Sequence, residues 1–208
     1  MPTFQQFELE TILPDNRDEY VDKIVDFYRL RHTVFVEELN WDLPMAADGF
    51  EIDQFDRPDT IYMLITNADS QVISGMRLLP TVKPHLLSEV FPHLAKEPIP
   101  TGPKILESSR SCVHPSLRGT SVARPIYGML VLGVMGHCLK HNIEFVTFVS
   151  DEGFAAKVAS HMDTRLLGEP TPYKSQRLVA GEIQINRRAY ETMRSALGLP
   201  PEISDVAA

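Results

Sequence analysis

Charge inside apolar segments is the first sign of chemistry in this chain. Glu51, Asp53 and Asp56 form an acidic run, E-I-D-Q-F-D, just before the apolar stretch Ile61–Ile65. Glu107-Ser108-Ser109-Arg110 lies within the run Ile105–Val113, and Arg31 and Arg77 fall on apolar faces of a helical stripe and a strand. Charges are rarely taken out of water unless paired, because their desolvation is costly. Carboxylates and arginines in this arrangement describe a polar cleft for a charged ligand. Plainer readings stand beside it: a solvated acidic loop for Asp53 and Asp56, a same-strand salt bridge for Glu107 and Arg110, and an arginine whose stem lies along apolar surface for Arg31.

The elements that must hold these residues follow from periodicity. Phe4 to Ile12 alternates as a first strand, and Asp15-Asn16 offers a helix cap. From Arg17 to about Leu39, apolar residues recur at Tyr20, Ile24, Phe27/Tyr28 and Val34/Phe35, so one helix is predicted, with Arg31 on its stripe. Asn40–Asp59 is an irregular acidic loop long enough to close over a ligand. Strands are predicted at Ile61–Thr66 and Val72–Pro80 around the turn Asn67–Ser70, with Gly75 marking a bulge or a close approach. A short helix at Leu86–Leu94 and a proline-rich connector lead to the strand Ile105–Val113. His114–Ser121 then opens an apolar helix, Val122–His141, in which Pro125 is tolerable only in the first turn. Ile143–Val149 returns as a strand and Glu152–Met162 as a helix, and this strand–loop–helix–strand unit is a ready anion site. Strands at about Lys174–Val179 and Gly181–Ile185 and a helix capped by Asn186 complete an α/β fold, a three-layer α-β-α sandwich with a mixed central sheet.

Composition bounds the function. The chain has 208 residues, 43% apolar and 23% charged, as expected of one globular domain over 1–199 with a flexible tail at 200–208. A net charge of −8 argues against bulk affinity for nucleic acid or an acidic membrane. Cys112 and Cys138 have neither metal-ligand spacing nor disulfide density and read as buried free thiols. With no signal-peptide pattern and no apolar run of membrane-spanning length, the expected location is the cytoplasm.

Taken in series, Arg31-x3-Phe35-x5-Trp41, Asp53-x2-Asp56, Gly75-x-Arg77-Leu78-Leu79 and Glu107-Ser108-Ser109-Arg110 resemble the signature of the acyl-homoserine-lactone synthases, the LuxI-type autoinducer synthases of bacterial quorum sensing. Arg118-Gly119-Thr120-Ser121-Val122-Ala123 resembles the phosphopantetheine-binding loop of GNAT acyltransferases, whose core fold that family shares. The match departs at Leu106 and Ser111, where the family commonly has aromatics, and in a loop one residue longer between Trp41 and Asp53.

The resemblance implies an enzyme that acylates the amine of S-adenosylmethionine from an acyl thioester and then closes the lactone, releasing methylthioadenosine. The thioester is carried on acyl carrier protein, the expected partner, or on coenzyme A, whose users the stretch Lys83–Leu94 resembles. Asp53 and Asp56 would face the cationic groups of S-adenosylmethionine and Arg31 its carboxylate, with Arg77 and Arg110 keeping the carboxylates ionised. Phe35 and Trp41 would give flat surface for adenine. Glu107 is the expected base, and backbone N–H groups near Ser109 the oxyanion donors. Arg118 and Gly119 would hold the pantetheine phosphate. Thr147, Met129, Phe148 and Val149 would line the acyl pocket, although a strand or core role suits each equally. Thr147 also matches a position where threonine accompanies 3-oxo-acyl preference. No metal or other cofactor is expected. Two rivals are a GNAT-type N-acyltransferase for another amine, which leaves Arg31, Trp41 and the paired aspartates unexplained, and a non-catalytic sensor of S-adenosylmethionine or an acyl carrier.

Overall fold

The computed structural model describes residues 6–198. Eight strands form one mixed sheet in the order β1-β2-β3-β4-β5-β8-β6, with β7 paired to β8. They are β1 (Glu8–Ile12), β2 (Ile61–Thr66), β3 (Val72–Pro80), β4 (Ile105–Val113), β5 (Phe145–Asp151), β6 (Thr164–Leu166), β7 (Thr171–Tyr173) and β8 (Gln176–Gln184). The helices are α1 (Val21–Arg31), α2 (Leu86–Glu89), α3 (Ala123–Lys140), α4 (Glu152–Ala159) and α5 (Arg187–Ala196). The sheet is antiparallel from β1 to β3, whereas β4 and β5 run parallel and are joined through α3, as a parallel pair requires. This is the expected α/β architecture. The described chain folds as two compact units, one from the segments up to Leu78 and Arg110–Val134, the other from Leu79–Ser109 and Met135 onward. The predicted tail at 200–208 and the start of the first strand at Phe4–Gln5 lie outside the described residues.

In the first unit, α1 buries Ile24, Phe27, Tyr28 and Arg31, spaced three and four residues apart as a helical stripe demands. The predicted single helix over 17–39 is three segments: a 3-10 turn at Arg17–Tyr20, α1, and a π-helix at His32–Glu38. Its wide turn is visible where Leu39 N–H donates to the Val34 carbonyl at 3.0 Å, five residues back. Asn16 makes no side-chain cap; its Oδ1 accepts from Leu13 N–H at 2.7 Å instead, and so closes the preceding turn. Gly75 marks a close approach, because a Cβ there would stand 2.4 Å from the Phe27 ring and 2.8 Å from a Leu64 methyl.

In the second unit, the parallel ladder runs from Ile105↔Phe145 to Ser108↔Phe148, and β5 pairs β8 antiparallel from Phe145↔Gln184 to Asp151↔Leu178. The two predicted final strands are the single strand β8, which passes through Gly181 because the Phe148 ring occupies the space of a side chain there. The short strands β6 and β7 add edges that periodicity did not reveal, since three residues cannot show an alternation. The predicted helix over 86–94 stops at Glu89, and a 3-10 turn follows at Pro92–Leu94, the proline ring being unable to continue the α-helix. Asn186 caps α5 as expected, accepting from Ala189 N–H at 2.8 Å.

Candidate active site

Three arginines and three carboxylates interlock in the first unit. Arg31, at the end of α1, donates Nε to Glu51 Oε2 at 2.6 Å and its two Nη atoms to the two oxygens of Asp56 at 2.8 and 2.9 Å. Arg77 on β3 forks onto both oxygens of Asp53 at 2.6 and 3.1 Å and stands 3.1 Å from Asp56 Oδ1. Arg110 on β4 spans Glu51 and Asp53 with contacts of 2.9–3.0 Å. Backbone N–H groups of Asp53 and Phe55 also donate to Asp56 and Asp53 at 2.9 and 2.8 Å. Three positive and three negative groups leave the network formally neutral, so every buried charge has its compensation.

Burial opposes ionisation of Asp56, but the hydrogen bonds and charge of Arg31, then the charge of Arg77, hold its carboxyl well below the usual range. Glu51 is lowered in the same way, against burial, by Arg110 and then Arg31. Arg31 is raised, its burial outweighed by Asp56 and Glu51.

Arg110 owes its aim to the backbone. Its φ of +54° is a left-handed conformation inside a strand, where a non-glycine residue is strained. That irregularity breaks the period-two alternation of β4, so the Arg110 guanidinium reaches Glu51 and Asp53. Phe35 lies under it at 5.7 Å and stacks on Trp41 with centroids 4.8 Å apart at 23°. The π-turn sets this pair, with Trp41 N–H donating to the Phe35 carbonyl at 2.8 Å.

The arrangement corrects one expectation. Arg31 is fully buried, and its Nε and both Nη atoms already bond Glu51 and Asp56, so it does not present a guanidinium to a ligand carboxylate. Asp56 is equally enclosed, while the side chains of Asp53 and Arg110 keep about a tenth of their surface, 10% and 8%, as the edge of the network. The part Glu51 plays beyond the acidic run, and the tyrosines behind Asp56, are not evident from the motifs in the sequence. Tyr62, opposite Arg77 in the β2–β3 register, donates to Asp56 at 2.9 Å. Tyr28 therefore donates to Tyr62 at 3.0 Å, and Arg17 to Tyr28 at 3.4 Å. The available signal was that a buried tyrosine hydroxyl needs a polar partner.

Glu107 belongs to the second unit. It is fully buried, and its two oxygens accept from Leu86 N–H and Leu87 N–H, each at 2.8 Å. Glu107 and Arg110 thus find their partners on different segments, and the plain same-strand salt bridge is not what the sequence encodes. Register places Thr147 opposite Glu107, and Thr147 Oγ1 contacts the Leu106 carbonyl at 3.4 Å. Ser109 is buried on β4, two residues beyond Glu107.

Of the expected acyl-lining residues, Val149 packs with Leu87, Leu94, Leu167, Leu178 and Ala180. Phe148 packs with Ala155 and Val179 toward α4, because side chains alternate across β5, so it does not share a pocket with Thr147 and Val149. Met129 is buried on α3. A surface hollow of about 420 Å³ lined by Lys104, Leu139, Asn142 and Ile143 does not include Glu107, Thr147 or Val149. In the loop before α3, Gly119 adopts φ +74° and the Arg118 guanidinium pairs with Glu38. The first turn of α3 holds no acidic residue, so its positive end is not offset locally. Among the described residues, no cluster of three or more His, Cys, Asp or Glu could hold a metal ion.

A family model described as autoinducer synthase matches residues 15–193. The isovaleryl-homoserine lactone synthase of Bradyrhizobium diazoefficiens is 33% identical over 188 residues, covering 89% of this chain and 83% of the relative. The solved structure of a CoA-dependent acyl-homoserine lactone synthase with SAM and isopentyl-CoA superposes with a TM-score of 0.86 at 31% identity, over 93% of this chain and 90% of that one. A second CoA-dependent acyl-homoserine lactone synthase gives 0.84 at 27% identity, over 94% and 98%. An acyl-CoA N-acyltransferase from Pseudomonas aeruginosa, 13% identical with a TM-score of 0.58 over 85% and 98%, shares the fold alone. With residues 15–193 matched by the family model and 33% identity over 188 residues to a relative covered over 83% of its length, the chain belongs to the autoinducer synthase family, the acyl-homoserine-lactone synthases.

Proposed function

We propose that this enzyme makes an acyl-homoserine lactone from S-adenosylmethionine and a short acyl-coenzyme A. The carrying observation is the neutral six-charge network beside the Phe35–Trp41 stack. S-adenosylmethionine has a sulfonium, an ammonium, a carboxylate and a flat base. The Asp53–Arg110 edge offers one charge of each sign to the methionyl group, Phe35 and Trp41 offer a surface for adenine, and Arg31, Arg77, Glu51 and Asp56 hold that edge rigid. Glu107 takes a proton from the amine as it attacks the thioester carbonyl, and backbone N–H groups of β4 near Ser109 meet the oxyanion. The methionyl carboxylate then displaces methylthioadenosine and closes the lactone. Arg118 and Gly119 hold the donor's phosphate, and no metal or further cofactor takes part.

Coenzyme A is preferred over acyl carrier protein because both CoA-dependent synthases superpose closely with this chain. A short acyl group agrees with Val149 packing against the buried cluster that contains Leu87, Leu94 and Leu178. The reaction is assigned to the cytoplasm because both substrates occur there; separately, no described helix is long and apolar enough to cross a membrane. The test is kcat/KM for one acyl group on each carrier, with the product identified by mass. Efficient turnover of acyl-coenzyme A that is insensitive to salt is the expected result. A strong preference for the protein carrier, fading as added salt shortens the Debye length below about 8 Å, would reverse the donor assignment.

A further inference from the structure

Acyl transfer to an ammonium leaves one proton over. The C–N bond forms and the C–S bond breaks with its electron pair passing to sulfur, while nitrogen gives up two protons in becoming an amide. One proton returns to the leaving thiolate and the other stays on the protein. Lactone closure takes up none, because the carboxylate displaces a neutral thioether from the sulfonium. A buried Glu107 that already accepts two backbone N–H bonds must hold this proton or pass it to a neighbouring base.

His85 is that neighbour. Its ring is fully buried, and Nε2 lies 3.9 Å from Glu107 Oε2. Nδ1 stands 2.9 Å from the Lys83 carbonyl, which can only accept, and the tautomer that bonds it, with the hydrogen on Nδ1, leaves the Nε2 lone pair toward Glu107. The backbone of this turn is pinned as well: His85 N–H donates to Ser88 Oγ at 3.0 Å, and the next two N–H groups hold Glu107. A shift of about 1 Å brings ring and carboxylate to hydrogen-bond length. Opposite Glu107 on β5 is Thr147, which does not titrate, and on β8 Glu182 stands opposite Thr147, bonded to Arg165 at 3.1 Å.

We propose that His85 is a positioning residue that receives the surplus proton from Glu107 and holds it as an imidazolium–carboxylate pair until product leaves. The proposal rests on the reading of Glu107 as base. It is tested with His85→Asn, which keeps a donor toward Lys83, and His85→Gln, which places an amide near Nε2; neither has a base.

The expected result is a fall in kcat of about tenfold or more in both variants, with KM for S-adenosylmethionine within about twofold and the acidic limb of the kcat–pH profile displaced. Wild-type kcat, or a lower kcat with an unshifted profile, overturns the proposal. If Asn fails to fold, Gln alone decides. Lactone production by the wild type in the same assay tests the function separately, and a Glu107→Gln variant with wild-type kcat would remove the base assignment rather than His85 alone.

Discussion

Removing one charge from the Arg31–Asp56 pair leaves the other stranded in the interior. Breaking a buried ion pair from one side costs about 3–5 kcal/mol. Arg31→Ala, which uncovers both Glu51 and Asp56, is therefore expected to lower the melting temperature by about 10 °C in a thermal scan. Asp53→Asn is a different experiment, because that carboxylate lies at the network's partly exposed edge. It should keep a near-native melt while lactone formation drops about a hundredfold; an active Asp53→Asn enzyme would show that the methionyl group docks elsewhere. Glu107→Gln combines both effects. The amide has one acceptor oxygen for two backbone N–H groups, so turnover should fall by about 10²–10⁴ and the segment from His85 to Leu94 should become more open to proteolysis, while calorimetry still detects S-adenosylmethionine binding.

Elements rather than residues decide where the aromatic surface lies. The π-turn at His32–Glu38 widens the helix just before Trp41, and the stacked pair depends on it. Trp41→Ala should raise KM for S-adenosylmethionine by about three- to tenfold, the worth of one aromatic stack, with kcat for bound substrate little changed. If kcat falls and KM holds, Trp41 serves the chemistry rather than adenine binding. β3 is held equally closely. Gly75→Ala would drive a methyl into the Phe27 ring and should cost about 1–3 kcal/mol in a denaturant titration, since a ring packed against α1 cannot withdraw.

At the scale of the whole molecule, stability should depend on pH in two separable windows. His137 on α3 is buried and held neutral by desolvation, with the charges of His141 and Lys140 adding to the effect, so its pKa falls to about 4. An unfolded histidine titrates near 6.5, so between about 6.5 and 4 the unfolded chain binds more protons and stability falls as pH falls. His137→Gln should flatten that slope. From about pH 5 downward, Glu51 and Asp56, both depressed by their arginines, protonate in the unfolded chain first, and a second loss begins that the His137 variant retains. Melting temperatures of both proteins from pH 8 to pH 3 would check this; parallel curves throughout would exclude His137. Cys112, raised to about 12 by burial, contributes no charge over this range.

The first five strands in chain order, the apolar stripe of α1 with Arg31 on it, the hairpin of β2 and β3, and the charged positions themselves could all be read in the chain, because periodicity and misplaced charge are local properties of sequence. Family membership was legible for the same reason, since its signature is a set of residue types at fixed spacing. Which charge meets which was not. Arg31 reads alike as a ligand's partner or as a scaffold until Glu51 and Asp56, 20 and 25 residues away, close around it. Nor could spacing show that Glu107 is seated by the backbone of a turn 20 residues earlier, with His85 beside it. Phe148 and Thr147 are neighbours in sequence that the pleat of β5 sends to opposite faces. Pairing over such distances is settled by burial, because only in the folded interior does an uncompensated charge cost enough to select its partner.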